Sequence, residues 1–217
     1  MEASLASYYD HVGKIVACYD RNGRGWTGAP IRSAECVARL RAIDTQGKVE
    51  FIDGDYARSD DPMANDTAQR QEAVASAEKG ADWVLQIDTD EVLPQPDRFL
   101  EALRRASMGE WQVLRYPNRI MRQHVRGDVY LEECNRLWLP LGGTLPLAVR
   151  PGTVLSVARE STAPSFRVGL TRQRFTALPG CRPNMTVGTR DALIHSRGYA
   201  AGGAGGEVRL VGPQPRP

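Results

Sequence analysis

A chain of 217 residues with 28 basic and 26 acidic side chains has a net charge of +2, too weak a field to gather nucleic acid. That length supports one α/β core with little left for a second. The first ten residues hold Glu2 and Asp10 with no basic start, and no uncharged apolar run approaches the roughly twenty residues of a membrane span, so neither export nor a transmembrane segment is expected.

Cys18, Cys36, Cys134 and Cys181 are far apart, with no Cys-x-x-Cys and no histidine at ligand spacing, which argues against zinc. Cys18 and Cys36 read as small buried hydrophobes in a reducing compartment, taken as the cytoplasm. Arg115, Arg119, Arg122 and Arg126 recur at short spacings and read as a solvated face.

Along the chain, residues 3–11 predict a short amphipathic helix, and the apolar run within 14–19 predicts a strand covered on both faces. Asp20 ends that strand and opens a glycine-rich loop. Ser33 is expected to cap a helix reaching Ile43, and a second strand spans Val49 to Ile52. A polar stretch over 53–65 precedes a helix starting at Asp66 or Thr67 and stopping at Gly80. Residues 81–87 predict a third strand that delivers Asp88 at its carboxyl end. A helix over 97–106 and a strand over 111–116 follow, then a mostly β stretch to about Arg190.

Strand, helix, strand, helix, strand is the grammar of a parallel sheet with helices on both faces, where ligands gather at the carboxyl ends of the strands. Residues 1–197 are expected to form one domain. The glycine- and proline-rich residues 198–217 are expected to be disordered, because they bury too little apolar area to offset their ordering entropy.

Asp88-Thr89-Asp90-Glu91 aims carboxylates at one point beyond a strand. A magnesium or manganese ion held there would neutralise the charge on a departing phosphate without proton transfer. Asp90 is assigned the direct metal contact, Asp88 the ribose or a metal-bound water, and Glu91 support of the loop. The alternative is a solvated acidic turn that caps the next helix.

The stretches Asp66-Thr67-Ala68-Gln69-Arg70-Gln71 and Ala81-Asp82-Trp83-Val84-Leu85-Gln86-Ile87-Asp88-Thr89-Asp90-Glu91 together resemble the central block of glycosyltransferase family 2. The resemblance implies a GT-A-like α/β three-layer sandwich with a mostly parallel central sheet, a nucleotide-binding half at 1–95 and a mostly β acceptor-side half at 96–197. It implies transfer of a sugar from a nucleotide-diphosphate donor, with Mn2+ or Mg2+, to an acceptor that is a glycan, a lipid or a small molecule. By position, Asp20 would read the base, Arg70 would lie near the diphosphate, and Glu133, ahead of Glu132 and Asp128, would deprotonate the acceptor. His195 resembles a histidine that adds a metal or phosphate contact, which makes Asp88, Asp90 and His195 the metal set.

Each assignment has a plainer counterpart: Asp20 as a turn former before Arg21-Asn22-Gly23, Arg70 as a partner of Asp66 four residues earlier, the three later carboxylates as surface strand and turn residues, and His195 as a structural histidine. Family members begin with a strand that has no counterpart here, since Met1 already opens the first helix. That strand would lie between those ending at Asp20 and Asp88, so the expectation is a start upstream or impaired activity. Two rivals remain open. A haloacid-dehalogenase-like phosphatase would use Asp88 as nucleophile, although every lysine precedes it. A remnant would bind a nucleotide without turnover.

Overall fold

The structure, a computed structural model, describes residues 1–126, 129–133, 143–169, 185–188 and 193–196, with side chains described for 1–119 and 143–169. The chain opens with α1 (Glu2–Ala6), a 3-10 turn at Tyr9–His11, β1 (Ile15–Asp20), α2 (Ser33–Ile43), β2 (Val49–Gly54), α3 (Pro62–Ala77), β3 (Val84–Leu85) and β4 (Glu91–Val92). It continues through α4 (Pro96–Ser107), β5 (Val113–Arg126), β6 (Val129–Glu133), β7 (Thr144–Val149), β8 (Ser165–Arg167), β9 (Met185–Gly188) and β10 (Leu193–Ser196).

The class is mixed α/β, but the central sheet differs from the expected one. Strands β1 and β2 form a parallel pair from Ile15↔Val49 to Asp20↔Gly54. Strand β3 is not part of it. It pairs antiparallel with β7 at Val84↔Val149 and joins an eight-stranded sheet along the path β3-β7-β5-β10-β4. The long β5 accounts for the change: it pairs antiparallel with β6 and β7 and parallel with β8 and β10. Most pairings in the described sheet are therefore antiparallel.

Alternate residues of β5 and β7 feed two cores, as the two-residue side-chain period requires. Leu114 and Ala148 pack with Leu93, Phe99, Ala102 and Ala106 under α4, where Phe99 meets Tyr116 edge-on at 5.3 Å and 85°. Val113 and Val149 pack with Val74, Val84 and Leu155 under α3. Helices α3 and α4 thus cover opposite faces of the β3-β7-β5 region.

Several local expectations are corrected. Helix α3 begins at Pro62, because Asp61 accepts a hydrogen bond from the Met63 amide at 2.9 Å and Pro62 occupies the first turn, a start signal inside the stretch taken as polar loop. Ser33 is the first residue of α2 and not its cap; its hydroxyl donates to the Asp20 carbonyl at 3.4 Å. Cys36 is exposed and Cys18 half-buried, because Val37 is the one buried residue of α2 and Cys36 lies on its outer side. Arg119 is 4 % exposed and Arg115 pairs with Glu160 at 2.6 Å, so the arginines at spacings of three and four are not one wet face: they lie on a strand, whose period is two. No helix among the described residues is long and apolar enough to cross a membrane. Asp128 and residues 197–217 lie outside the described residues.

Candidate functional site

Asp20 closes β1 and is 2 % exposed. Its Oδ1 accepts from the amides of Asn22 at 2.9 Å and Arg24 at 3.1 Å, and its Oδ2 from the amide of Tyr56 at 2.8 Å. Burial pushes its carboxyl up, but these three amides and nearby Arg24 outweigh that and hold it below its ordinary value. Both oxygens are occupied in tying the loop after β1 to the end of β2. This is the turn-forming geometry, extended by a long-range bond.

Asp88 follows β3 and sits in a chain of five charged groups. Arg70 of α3 grips it in a fork, Nη1 to Oδ1 at 2.9 Å and Nη2 to Oδ2 at 3.1 Å, while its Nε donates to Asp66 at 2.6 Å. The two readings of Arg70, partner of Asp66 and occupant of the site, are compatible in one geometry. Trp26 lies against the guanidinium, 5.6 Å from ring centre to Arg70 Cζ.

The other grip on Asp88 comes from Arg159, in the loop after β7. Its Nη2 donates to Asp88 Oδ2 at 2.5 Å and lies 2.8 Å from Glu91 Oε2. Glu91 is wholly buried, and its Oε2 also accepts from the Asp88 amide at 2.9 Å. The Glu91 amide donates to the Asp88 carbonyl at 3.0 Å, and the Ser4 hydroxyl donates to the same carbonyl at 3.1 Å. Glu91 thereby supports the loop, and it begins β4, which pairs antiparallel with β10 at His195↔Glu91.

The charge balance around Asp88 has two opposing parts. Burial raises its carboxyl, and the two guanidiniums, Arg159 foremost, outweigh burial and hold it below the ordinary carboxylate value. Burial works against the Arg70 cation too, but Asp88 and then Asp66 outweigh it and keep the group fully charged. Asp66 goes the other way: its carboxyl is raised, because burial exceeds what Arg70 returns.

No motif or spacing points to Arg159, which is 71 residues from Asp88. The loop carrying it is fastened to α3 by side-chain bonds. Gln71 Oε1 accepts from the Leu155 amide at 2.8 Å, Gln71 Nε2 donates to the Thr153 carbonyl at 3.3 Å, and Thr67 Oγ1 accepts from the Ala158 amide at 2.7 Å. Ala158 takes a φ of 49°, a left-handed conformation rare for alanine, immediately before Arg159.

Asp90 is half-buried in the turn between these groups. Among the described residues no cluster of three histidine, cysteine or carboxylate side chains could hold a metal by itself, and both Asp88 oxygens are engaged by arginine. The donor set fits a magnesium or manganese ion only in the mode in which one carboxylate, that of Asp90, meets the metal and substrate phosphates and water complete its shell. The backbones of Glu132 and Glu133 lie in β6, next to β5 and β9, and that of His195 lies in β10; their side chains are outside the description. No family model, curated protein or solved structure matches the chain.

Proposed function

We propose that the chain binds a nucleotide-diphosphate sugar at the carboxyl ends of β1 and β3 and transfers the sugar to an acceptor. The observation that carries this reading is the pair of guanidiniums, Arg70 and Arg159, gathered on Asp88 beside Asp90. A diphosphate leaving group gains negative charge as the sugar departs, and preorganised cations in a poorly hydrated site stabilise that change. Arg70 and Arg159 supply them, Asp88 and Glu91 orient them, and Asp90 holds a divalent ion against the phosphates. When bound, that ion would act as a Lewis acid that neutralises the leaving group.

The phosphatase reading requires an Asp88 oxygen aimed at phosphorus. Both oxygens instead accept arginine hydrogen bonds, which disfavours it. Nucleotide binding without turnover is the second reading; in either reading a base is met by groups other than Asp20, whose oxygens are spent on backbone amides.

Calorimetry of the chain with manganese and a panel of nucleotide sugars, alongside Asp90→Ala, tests the proposal. Metal-dependent binding that Asp90→Ala abolishes, with sugar release to an acceptor, supports it. Hydrolysis of a generic phosphoester without nucleotide binding contradicts it.

A further inference from the structure

The loop after β1 doubles back on itself and carries Trp26 near its tip. Asp20 closes its base through the amides of Asn22 and Arg24. Within it the Gly25 amide donates to the Ala29 carbonyl at 2.7 Å, the Gly28 amide to the Gly25 carbonyl at 2.8 Å, and the Ile31 amide to the Gly23 carbonyl at 2.8 Å. Gly23 and Gly28 take φ of 66° and 80°, which glycine adopts without strain.

Helix α3 fixes the tip from one side. Buried Asn65 donates from Nδ2 to the Trp26 carbonyl at 2.8 Å and to the Ser59 carbonyl at 2.9 Å. The indole Nε1 donates to Gln69 Oε1, and Gln69 Nε2 donates in turn to the Cys18 carbonyl at 2.9 Å. Arg70 Cζ lies over the ring, 5.6 Å from its centre.

Trp26 is nevertheless 39 % exposed. One face meets Arg70 and its single polar atom is satisfied, so the area left open is apolar. An indole already fixed in this way loses little conformational freedom when a flat ring stacks on it.

The neighbours of the indole indicate which ring that is. Arg70 touches Trp26 through its face and Asp88 through its fork, and Asp90 follows Asp88 in the turn. Aromatic ring, guanidinium and metal-binding carboxylate thus follow one another in the order in which a nucleotide sugar presents its base, its diphosphate and its sugar. Asp20, the other side chain at the end of β1, has no oxygen to spare for a base.

We infer that Trp26 is the stacking platform for the nucleobase of the donor. The inference rests on the nucleotide-sugar reading and adds to it how the base is held, by a π-face in place of a carboxylate. Trp26 is a binding residue with no part in bond breaking.

The test is hydroxyl-radical footprinting of the natural chain with magnesium, read at Trp26 against Trp111, which is equally exposed and packs against Phe166. The ligands are uridine, guanosine and adenosine diphosphates, a nucleotide sugar, and pyrophosphate. A nucleoside diphosphate should protect Trp26 as well as its nucleotide sugar does, and pyrophosphate should not. In calorimetry Trp26→Leu should weaken the nucleoside diphosphate by roughly tenfold and leave pyrophosphate unchanged, while Trp26→Phe keeps a π-face and should retain most of the affinity. The footprint needs no variant, so it decides even if Trp26→Leu does not fold. Equal protection by pyrophosphate, protection by the nucleotide sugar alone, or equal losses of both ligands in Trp26→Leu would overturn the inference and leave the nucleotide-sugar reading standing. A natural chain that binds none of the nucleotides would overturn both.

Discussion

Arg70 holds Asp88 through two nearly parallel hydrogen bonds of 2.9 and 3.1 Å, and the same guanidinium reaches Asp66 at 2.6 Å. The fork explains why the first carboxylate of the acidic turn is an anchor and not an open ligand. An arginine-to-lysine change keeps the charge and loses the fork. Arg70→Lys should therefore weaken nucleotide-sugar binding by roughly tenfold or more while leaving the fold intact, as titration calorimetry and a melting curve would show.

Arg159 bridges Asp88 and the fully buried Glu91. Its removal leaves a buried carboxylate short of its cation, so Arg159→Ala should destabilise the chain by roughly 3 kcal/mol or more. Adding Glu91→Gln removes the stranded charge, and the double variant should recover part of the loss, with a coupling of about 1–3 kcal/mol in chemical denaturation. Additive losses would show that the two side chains do not interact.

Asp20→Asn should cost roughly 1–3 kcal/mol, because the amide group brings a donor to a carboxylate position that accepts three backbone amides. Its pH dependence has a definite sign. The folded carboxyl lies below its ordinary value, so its stabilisation is complete above about pH 4 and drains away as pH falls through the folded value. The gap in melting temperature between the natural chain and Asp20→Asn should be widest near neutrality and shrink in acid. A gap that widens in acid would contradict this assignment.

Gly54 sits where an added Cβ would lie 2.3 Å from Tyr56 Cζ, and Tyr56 is 4 % exposed with its hydroxyl accepting from Cys18 Sγ at 2.8 Å. Gly54→Ala must displace that ring, a destabilisation of about 1–3 kcal/mol by overpacking, measured as a lower denaturation midpoint with an unchanged slope.

How much of this was legible in the sequence depended on how local the cause was. The apolar run before Asp20, the strand read over Val49 to Ile52 and the helix read over 97–106 fall within a few residues of β1, β2 and α4, because such signals act over one or two turns. Asp61-Pro62 is an equally local start signal, set among polar residues, and it begins α3 four residues before Asp66. The partner of β3 is a different matter: residues 81–87 look the same whether they join β1 or β7, and the choice is made by β5 and β7, far along the chain.

The candidate site divides in the same way. Arg70 and Asp88 stand near each other on a helix and the strand after it, so spacing could bring them together. Arg159 depends on a loop fixed by Gln71 and Thr67 and on an alanine at φ 49°, none of which leaves a pattern in residue type. Asp20 was legible as a turn former, while its third bond, to the Tyr56 amide, depends on the pairing of β1 with β2.

The most direct measurement is titration of manganese and nucleotide-diphosphate sugars into the natural chain, Asp90→Ala and Asp88→Asn. The account predicts binding that requires the metal, is lost in Asp90→Ala with the fold retained, and is weakened in Asp88→Asn even at saturating metal, since that carboxylate orients the arginines. Metal affinity that falls in Asp88→Asn and is untouched in Asp90→Ala would contradict it.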